Sequence, residues 1–175
     1  LTVALVLGRP AGLAGVTLLA SNIALFRNGD AGGDGTWQSV LTEPGMGRTS
    51  IDYARSNPSI VYAVSASILP GPDRTGDGRG DYDNGLHAVW RSTDAGRTWE
   101  ARVRNSSSDR LSTYLLSYAD SFDAETCGFG ANDPYSAGWY NQAIAVNPLD
   151  PEVVWVAGME HYRSDDGGRS FGKAS

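Results

Sequence analysis

One short pattern is written three times along this chain, and internal repetition constrains the fold before any other reading does. The stretch RSTDAGRTW sets Ser92, Asp94, Gly96 and Trp99 in the order Ser-x-Asp-x-Gly-x-x-Trp. RSDDGGRSF repeats it with Ser164, Asp166, Gly168 and Phe171. A looser copy, RNGDAGGDGTW, offers Asn28, Asp30, Gly32 and Trp37, with two extra residues before the aromatic. An aromatic and an arginine precede each copy: Phe26-Arg27, Trp90-Arg91 and Tyr162-Arg163.

The pattern reads as a turn between antiparallel strands. The aromatic-Arg pair ends one strand and the second aromatic begins the next. Asp, Ser and Asn side chains accept hydrogen bonds from turn N–H groups, and glycine supplies positive φ. Trp37, Trp99 and Phe171 are expected to fold back as plugs over their hairpins. The pattern resembles the Asp-box, or BNR repeat, of sialidases and other β-propellers. That resemblance implies a structural turn on the rim, away from any catalytic centre.

A second repeat runs alongside the first. SIDYARSNPSIVYAV (residues 50–64) aligns without gaps on AIAVNPLDPEVVWVA (residues 143–157), with Ile51 on Ile144, Asn57-Pro58 on Asp150-Pro151 and Tyr62 on Trp155. Each copy is an apolar strand, a Pro-containing turn and a β-branched, aromatic strand. The chain start is a degraded third version, with Arg9-Pro10 near the turn and Val16 to Ala20 as the following strand. Each unit thus has four strands, A to D, with the Asp-box between C and D. Spans are about 2–41, 50–103 and 142–173, and the third unit is expected to stop before its D strand.

Four-stranded units repeated around an axis are propeller blades. The expected fold is all-β, a partial β-propeller of four-stranded antiparallel blades with Asp-box turns between strands C and D. The start at Leu1 and the stop inside a repeat lead to the expectation of a piece of a longer chain. Two long insertions, about 67–86 and 104–141, separate the units. Chain direction alternates at each strand, so both insertions are expected on one face, opposite the boxes.

Composition fits such a module. The 175 residues include 22 Gly, 8 Pro, 5 Trp and 8 Tyr, a turn-rich and aromatic inventory. A formal net charge of −6 argues against a nucleic-acid partner, which needs a basic face. No apolar stretch is long and uninterrupted enough for a membrane span. The N-terminal apolar run is broken by Arg9 and Pro10 and reads as strands, not as a signal peptide. The single Cys127 excludes an internal disulfide.

The first insertion gathers Asp73, Asp77, Asp81 and Asp83 among glycines. Such oxygen-rich loops suit calcium, although the EF-hand spacing fails, and a solvated acidic loop is the competing reading. Arg79-Gly80-Asp81 matches an adhesion triplet too short to carry weight. The second insertion carries Tyr114, Tyr118, Asp120, Asp123, Glu125, Tyr135, Trp139 and Tyr140. Aromatic faces beside carboxylates suit a sugar ring, which stacks and hydrogen-bonds. Paired carboxylates also suit glycoside hydrolysis. Trp139 and Tyr140 directly precede strand A of the third unit and are expected to pack between blades. The binding candidates are Asp81, Tyr82, Asp83, Tyr118, Asp120 and Asp123. Asn105-Ser106-Ser107 is a formal glycosylation sequon, meaningful only in a eukaryotic secretory host.

From Arg48 onward the chain resembles secreted bacterial BNR-repeat proteins related to the sortilin-type propeller. Ala145-Val146-Asn147-Pro148 and Asp150-Pro151 fit that pattern, whereas Tyr53-Ala54-Arg55 departs from it. The resemblance implies a secreted, periplasmic or cell-surface module that binds glycan, peptide or protein. The alternatives are part of a glycoside hydrolase, sialidase-like or xyloglucanase-like, and a scaffold or assembly-factor propeller. Arg27, Arg91 and Arg163 are repeat-equivalent, so a structural role explains them better than a sialidase arginine triad does.

Overall fold

A computed structural model describes residues 5–6, 16–21, 23–30, 36–71, 84–105, 115–118, 121–123, 128–130 and 135–174. Among these residues three antiparallel four-stranded sheets follow one another along the chain. The first runs β1 (Leu5–Val6), β2 (Thr17–Ala20), β3 (Leu25–Asn28) and β4 (Trp37–Leu41). The second runs β5 (Met46–Tyr53), β6 (Val61–Ser67), β7 (Leu86–Ser92) and β8 (Glu100–Arg104). After β9 to β12 of the second insertion comes the third sheet: β13 (Ala143–Val146), β14 (Val154–Ala157), β15 (His161–Ser164) and β16 (Gly172–Lys173).

Spatial order equals chain order in every sheet, so each blade is a meander. Two expectations need correction. The third unit does contain a D strand, because β16 pairs with β15 through Arg163–Gly172 and Tyr162–Lys173. Strand A of the second unit begins at Met46 rather than at 50, with a register shift between Met46 and Thr49.

The middle blade is sandwiched, which is why β6 is buried along its whole length. Its side chains alternate between two interblade cores, as the period of a strand requires. Ile51, Val61, Ala63, Ala88 and Trp90 meet Leu18, Ala20 and Leu25 of the first blade. Val64, Ala66, Leu86 and Val89 meet Val156 and Tyr162 of the third, with Leu115 and Leu116. Tyr62, Ala54 and Ile60 join Val146 and Val154 in a further cluster. Trp99 and Phe171 lie half-buried against these interblade clusters. In the second and third blades the plug expected over the hairpin is therefore part of the contact between blades. Trp90 also donates to Ser65 Oγ at 3.2 Å, which in turn lies 2.9 Å from Thr49 Oγ1, so these three polar side chains of the core are paired with one another.

The Ser-x-Asp turns have one geometry in the second and third blades. Asp94 Oδ1 accepts the backbone N–H groups of Arg97 and Thr98, each at 2.9 Å, and Oδ2 accepts the Thr98 hydroxyl at 2.7 Å. Ser92 donates its hydroxyl to Asp94 at 2.8 Å and accepts the N–H of Gly96 at 2.8 Å. Asp166, Ser164, Gly168, Arg169 and Ser170 repeat each bond. Two consecutive residues take positive φ, Ala95 and Gly96 in one turn, Gly167 and Gly168 in the other. In the first copy the buried Asn28 accepts the Asp30 N–H at 2.6 Å, while Gly32 lies outside the described residues.

Each turn is fastened to the A–B turn of its own blade. Ala95 N–H donates to Ser59 and Gly167 N–H to Glu152, both at 2.9 Å. The A–B and C–D turns therefore share one end of a blade, and the B–C and D–A connections leave from the other.

Candidate functional site

At that other end the described parts of the two long connections meet. Gly138 N–H donates to the Asn84 carbonyl at 2.8 Å, joining the second insertion to the end of the first. The approach is too close for a side chain: a Cβ at Gly138 would lie 2.5 Å from that carbonyl oxygen. The buried Leu115 and Leu116 anchor the second insertion in the interblade core. Between these anchor points the insertion forms two short antiparallel ladders. β9 (Ser117–Tyr118) pairs with β12 (Tyr135–Ser136), and β10 (Ser121–Asp123) pairs with β11 (Gly128–Gly130). The sequence carries no signal for them, because strands of two or three residues are too short to display alternation.

Trp139 and Tyr140 do not pack between blades. Their relative exposures are 61% and 66%, a correction with a visible cause. Residues 137–141 form a turn, in which Tyr140 and Asn141 N–H groups both donate to the Ala137 carbonyl. Arg48, on β5, donates from Nη1 to the carbonyls of Trp139 at 3.0 Å and Tyr140 at 2.7 Å. The backbone is thereby clamped while the two rings project outward, 5.5 Å apart and tilted by 47°. Arginine is well suited to hold two carbonyls at once.

The other exposed apolar groups share this end. Ile23, Ile68 and Leu69, and Met159 sit on B–C connections, beside the D–A pair Trp139 and Tyr140. Among the described residues every exposed large hydrophobic side chain lies here except Leu149, which is on an A–B turn. Scattered apolar residues need no explanation, but segregation of this kind does.

An ionic cluster borders the same end. Arg104 grips Glu43 with two hydrogen bonds of 2.8 Å and stacks 4.7 Å over the Trp90 ring. His87 Nε2 lies 3.3 Å from Glu43. The hydrogen bond from Arg104 holds Glu43 below the usual carboxylate range against the opposing effect of burial, with the Arg104 charge and His87 adding to it. Burial lowers His87, only partly offset by Glu43, so the imidazole is neutral at pH 7. Glu43 is thus a committed anion and unsuited to donating a proton.

Of the binding candidates named from the sequence, Tyr118 lies on β9 and Asp123 on β10. Asp81, Tyr82, Asp83 and Asp120 lie outside the described residues, as do the calcium candidates Asp73 and Asp77. Among the described residues no group of three or more His, Cys, Asp or Glu side chains could hold a metal ion. No helix there is long and apolar enough to cross a membrane.

Gln142, at the foot of β13, adds one orphan: both polar atoms of its amide are buried without a hydrogen-bond partner among the described residues. A buried amide left unpaired costs about 1–3 kcal/mol. Gln142→Met is therefore expected to keep or raise the urea midpoint. A clear drop in that midpoint would mean that the amide is paired in solution.

The sequence matches no protein-family model and no curated protein. Among the solved structures that resemble the chain are three GH74 enzymes. An ancestral GH74 enzyme superposes with a TM-score of 0.55 at 13% identity, over 96% of this chain and 18% of its own. The GH74 xyloglucanase from Xanthomonas campestris gives 0.52 at 15% identity, over 93% of this chain and 22% of its own. A GH74 enzyme from Niastella koreensis gives 0.50 at 13% identity, over 93% and 21%. The chain therefore spans about a fifth of the length of these enzymes. At such identities the likeness is one of fold. The chain is a partial β-propeller of four-stranded antiparallel blades.

Proposed function

We propose that this chain is a glycan-binding propeller module of the Asp-box type, which engages its ligand through the end carrying the B–C and D–A connections. The observation that carries the reading is the clamped, outward-facing Trp139–Tyr140 pair within a segregated apolar rim. Aromatic faces held by a rigid scaffold stack on the C–H face of a sugar at little entropic cost. The insertions supply the hydrogen-bonding part, with Asp81, Tyr82, Asp83, Tyr118, Asp120 and Asp123 as its candidates. Two further points support this choice of end: the carboxylates of the opposite end, Asp94 and Asp166, are consumed by their turns, and binding residues favour loops on a rigid scaffold. A secreted, periplasmic or cell-surface location belongs to the same proposal.

A glycoside hydrolase is the second reading, favoured by the likeness to GH74 folds. It requires two carboxyl groups about 5–10 Å apart across a cleft. The described carboxyl groups with shifted pKa values, Glu43, Asp94 and Asp166, all move downward, the wrong direction for a general acid.

The experiment is a titration with xyloglucan and mixed-linkage β-glucan oligosaccharides. Trp139→Ala and Tyr140→Ala should each weaken binding about tenfold, the loss of one aromatic stack and its buried area, with the urea midpoint unchanged. Binding that survives the double substitution would remove the aromatic pair from the site. Release of reducing sugar would move the assignment to the second reading.

A further inference from the structure

Arg48 holds the Trp139–Tyr140 turn with one nitrogen only. Nη1 donates to both carbonyls, at 3.0 and 2.7 Å. Among the described residues Nε and Nη2 have no hydrogen-bond partner, and no carboxylate pairs with the guanidinium. Nε–H and the adjacent Nη2–H lie along one edge of the planar fork, an edge that meets a carboxylate with two parallel bonds. The clamp therefore leaves the anion-binding edge of this arginine intact.

Other cations of this end are committed. Arg104 meets Glu43 with two parallel hydrogen bonds of 2.8 Å, through Nη1 and Nη2. Lys173 donates at 2.7 Å to Glu160, which lies on the B–C connection of the third blade. Glu43 and Glu160 are thus neutralised by their own partners, and of these cations Arg48 alone keeps an unmatched charge among the described residues. Two carbonyl dipoles soften that charge without cancelling it. Arg48 is half-buried, and a partly desolvated cation without a counter-ion carries a cost that an incoming anion relieves.

We propose that the site takes an acidic glycan, in which a uronate ring stacks on Trp139 or Tyr140 and a uronate carboxylate closes on the Nε–Nη2 edge of Arg48. The inference rests on the glycan reading and narrows it, from any sugar to one that carries a carboxylate. A uronate bears that group at the ring edge, so its apolar C–H face stays free to stack. The guanidinium lies against the backbone from which both rings project, so cation and stacking faces are presented together. The formal net charge of −6 opposes an anion only at long range, where salt screens it beyond about 8–10 Å. At contact a bidentate, charge-assisted pair outweighs that repulsion.

The test compares tetragalacturonate with its methyl ester, the same chain without the charges, by isothermal titration calorimetry. The unmodified protein should bind the acid about tenfold more tightly than the ester, the effect of one charge-assisted pair. Arg48→Met should weaken both ligands, because the clamp is lost, and should also abolish the preference for the acid. The second effect separates recognition of the carboxylate from support of the turn. Arg48→Lys keeps a point charge without the fork and should retain about a threefold preference, which reads the same contact if the methionine variant unfolds. Equal affinity of the unmodified protein for acid and ester, with Trp139→Ala still weakening both, would overturn the proposal and leave the glycan reading standing. An undiminished preference in both Arg48 variants would put the carboxylate elsewhere and overturn it as well. Absence of binding by acid, ester and xyloglucan oligosaccharides alike would remove the glycan reading and the proposal together.

Discussion

Replacing Tyr62 by alanine is expected to lower stability by about 3–5 kcal/mol, the range for deleting a fully buried aromatic side chain. Tyr62 is completely buried in the cluster shared by the second and third blades, lies 5.6 Å beneath Arg91 and donates to Pro151. The loss therefore combines a cavity with an interface left half-paired. Tyr62→Phe separates the two, because it removes only the hydroxyl and should cost about 1 kcal/mol. Urea unfolding followed by tryptophan emission measures both. Equal midpoints for the alanine variant and the unmodified chain would contradict the interblade account.

The second large effect concerns acid. Burial pushes Asp94 and Asp166 upward, but the donors from Thr98 and Ser170, with those from Ser92, Ser164, Arg97 and Arg169, outweigh it and hold both at about 2, against 3.8 for a free side chain. Between those values the unfolded chain binds more protons than the folded one. The contribution is therefore fully present above about pH 5 and is lost as pH falls from about 4 through about 2. Both turns are half-exposed, so screening reduces the value to about 1–2 kcal/mol each. Asp94→Asn together with Asp166→Asn should cost about 2–4 kcal/mol at pH 7 and flatten the acid limb of stability against pH. Urea midpoints at pH 7 and pH 3 test both parts. An undiminished acid limb in the double variant would show that other groups carry it.

The fold was legible because the repeat is chemical as well as numerical. An Asp that must meet several turn donors, a glycine at positive φ and a following aromatic recur at one offset, and the structure realises the same bonds twice. Strand parity followed from the meander alone. The shortfalls have physical causes. The D strand of the third blade is a two-residue pairing, too short to carry alternation. The orientation of Trp139 and Tyr140 depends on Arg48, which is remote in sequence and grips backbone rather than side chain. The partnership of Arg91 with Glu152 was hidden for the same reason, since it crosses from one blade to the A–B turn of the next. What sequence repetition identified as equivalent arginines, the fold turns into a linkage between blades.

The claim most exposed to disproof is that one end of the blades binds and the other only holds turns. Amide shift mapping by NMR during titration with xyloglucan oligosaccharides tests it in one spectrum series. The account predicts perturbation at Ile68, Leu69, Trp139, Tyr140 and Met159, with Asn57, Asp94, Leu149 and Asp166 unmoved. Perturbation centred on Asn57, Asp94, Leu149 and Asp166 would contradict it.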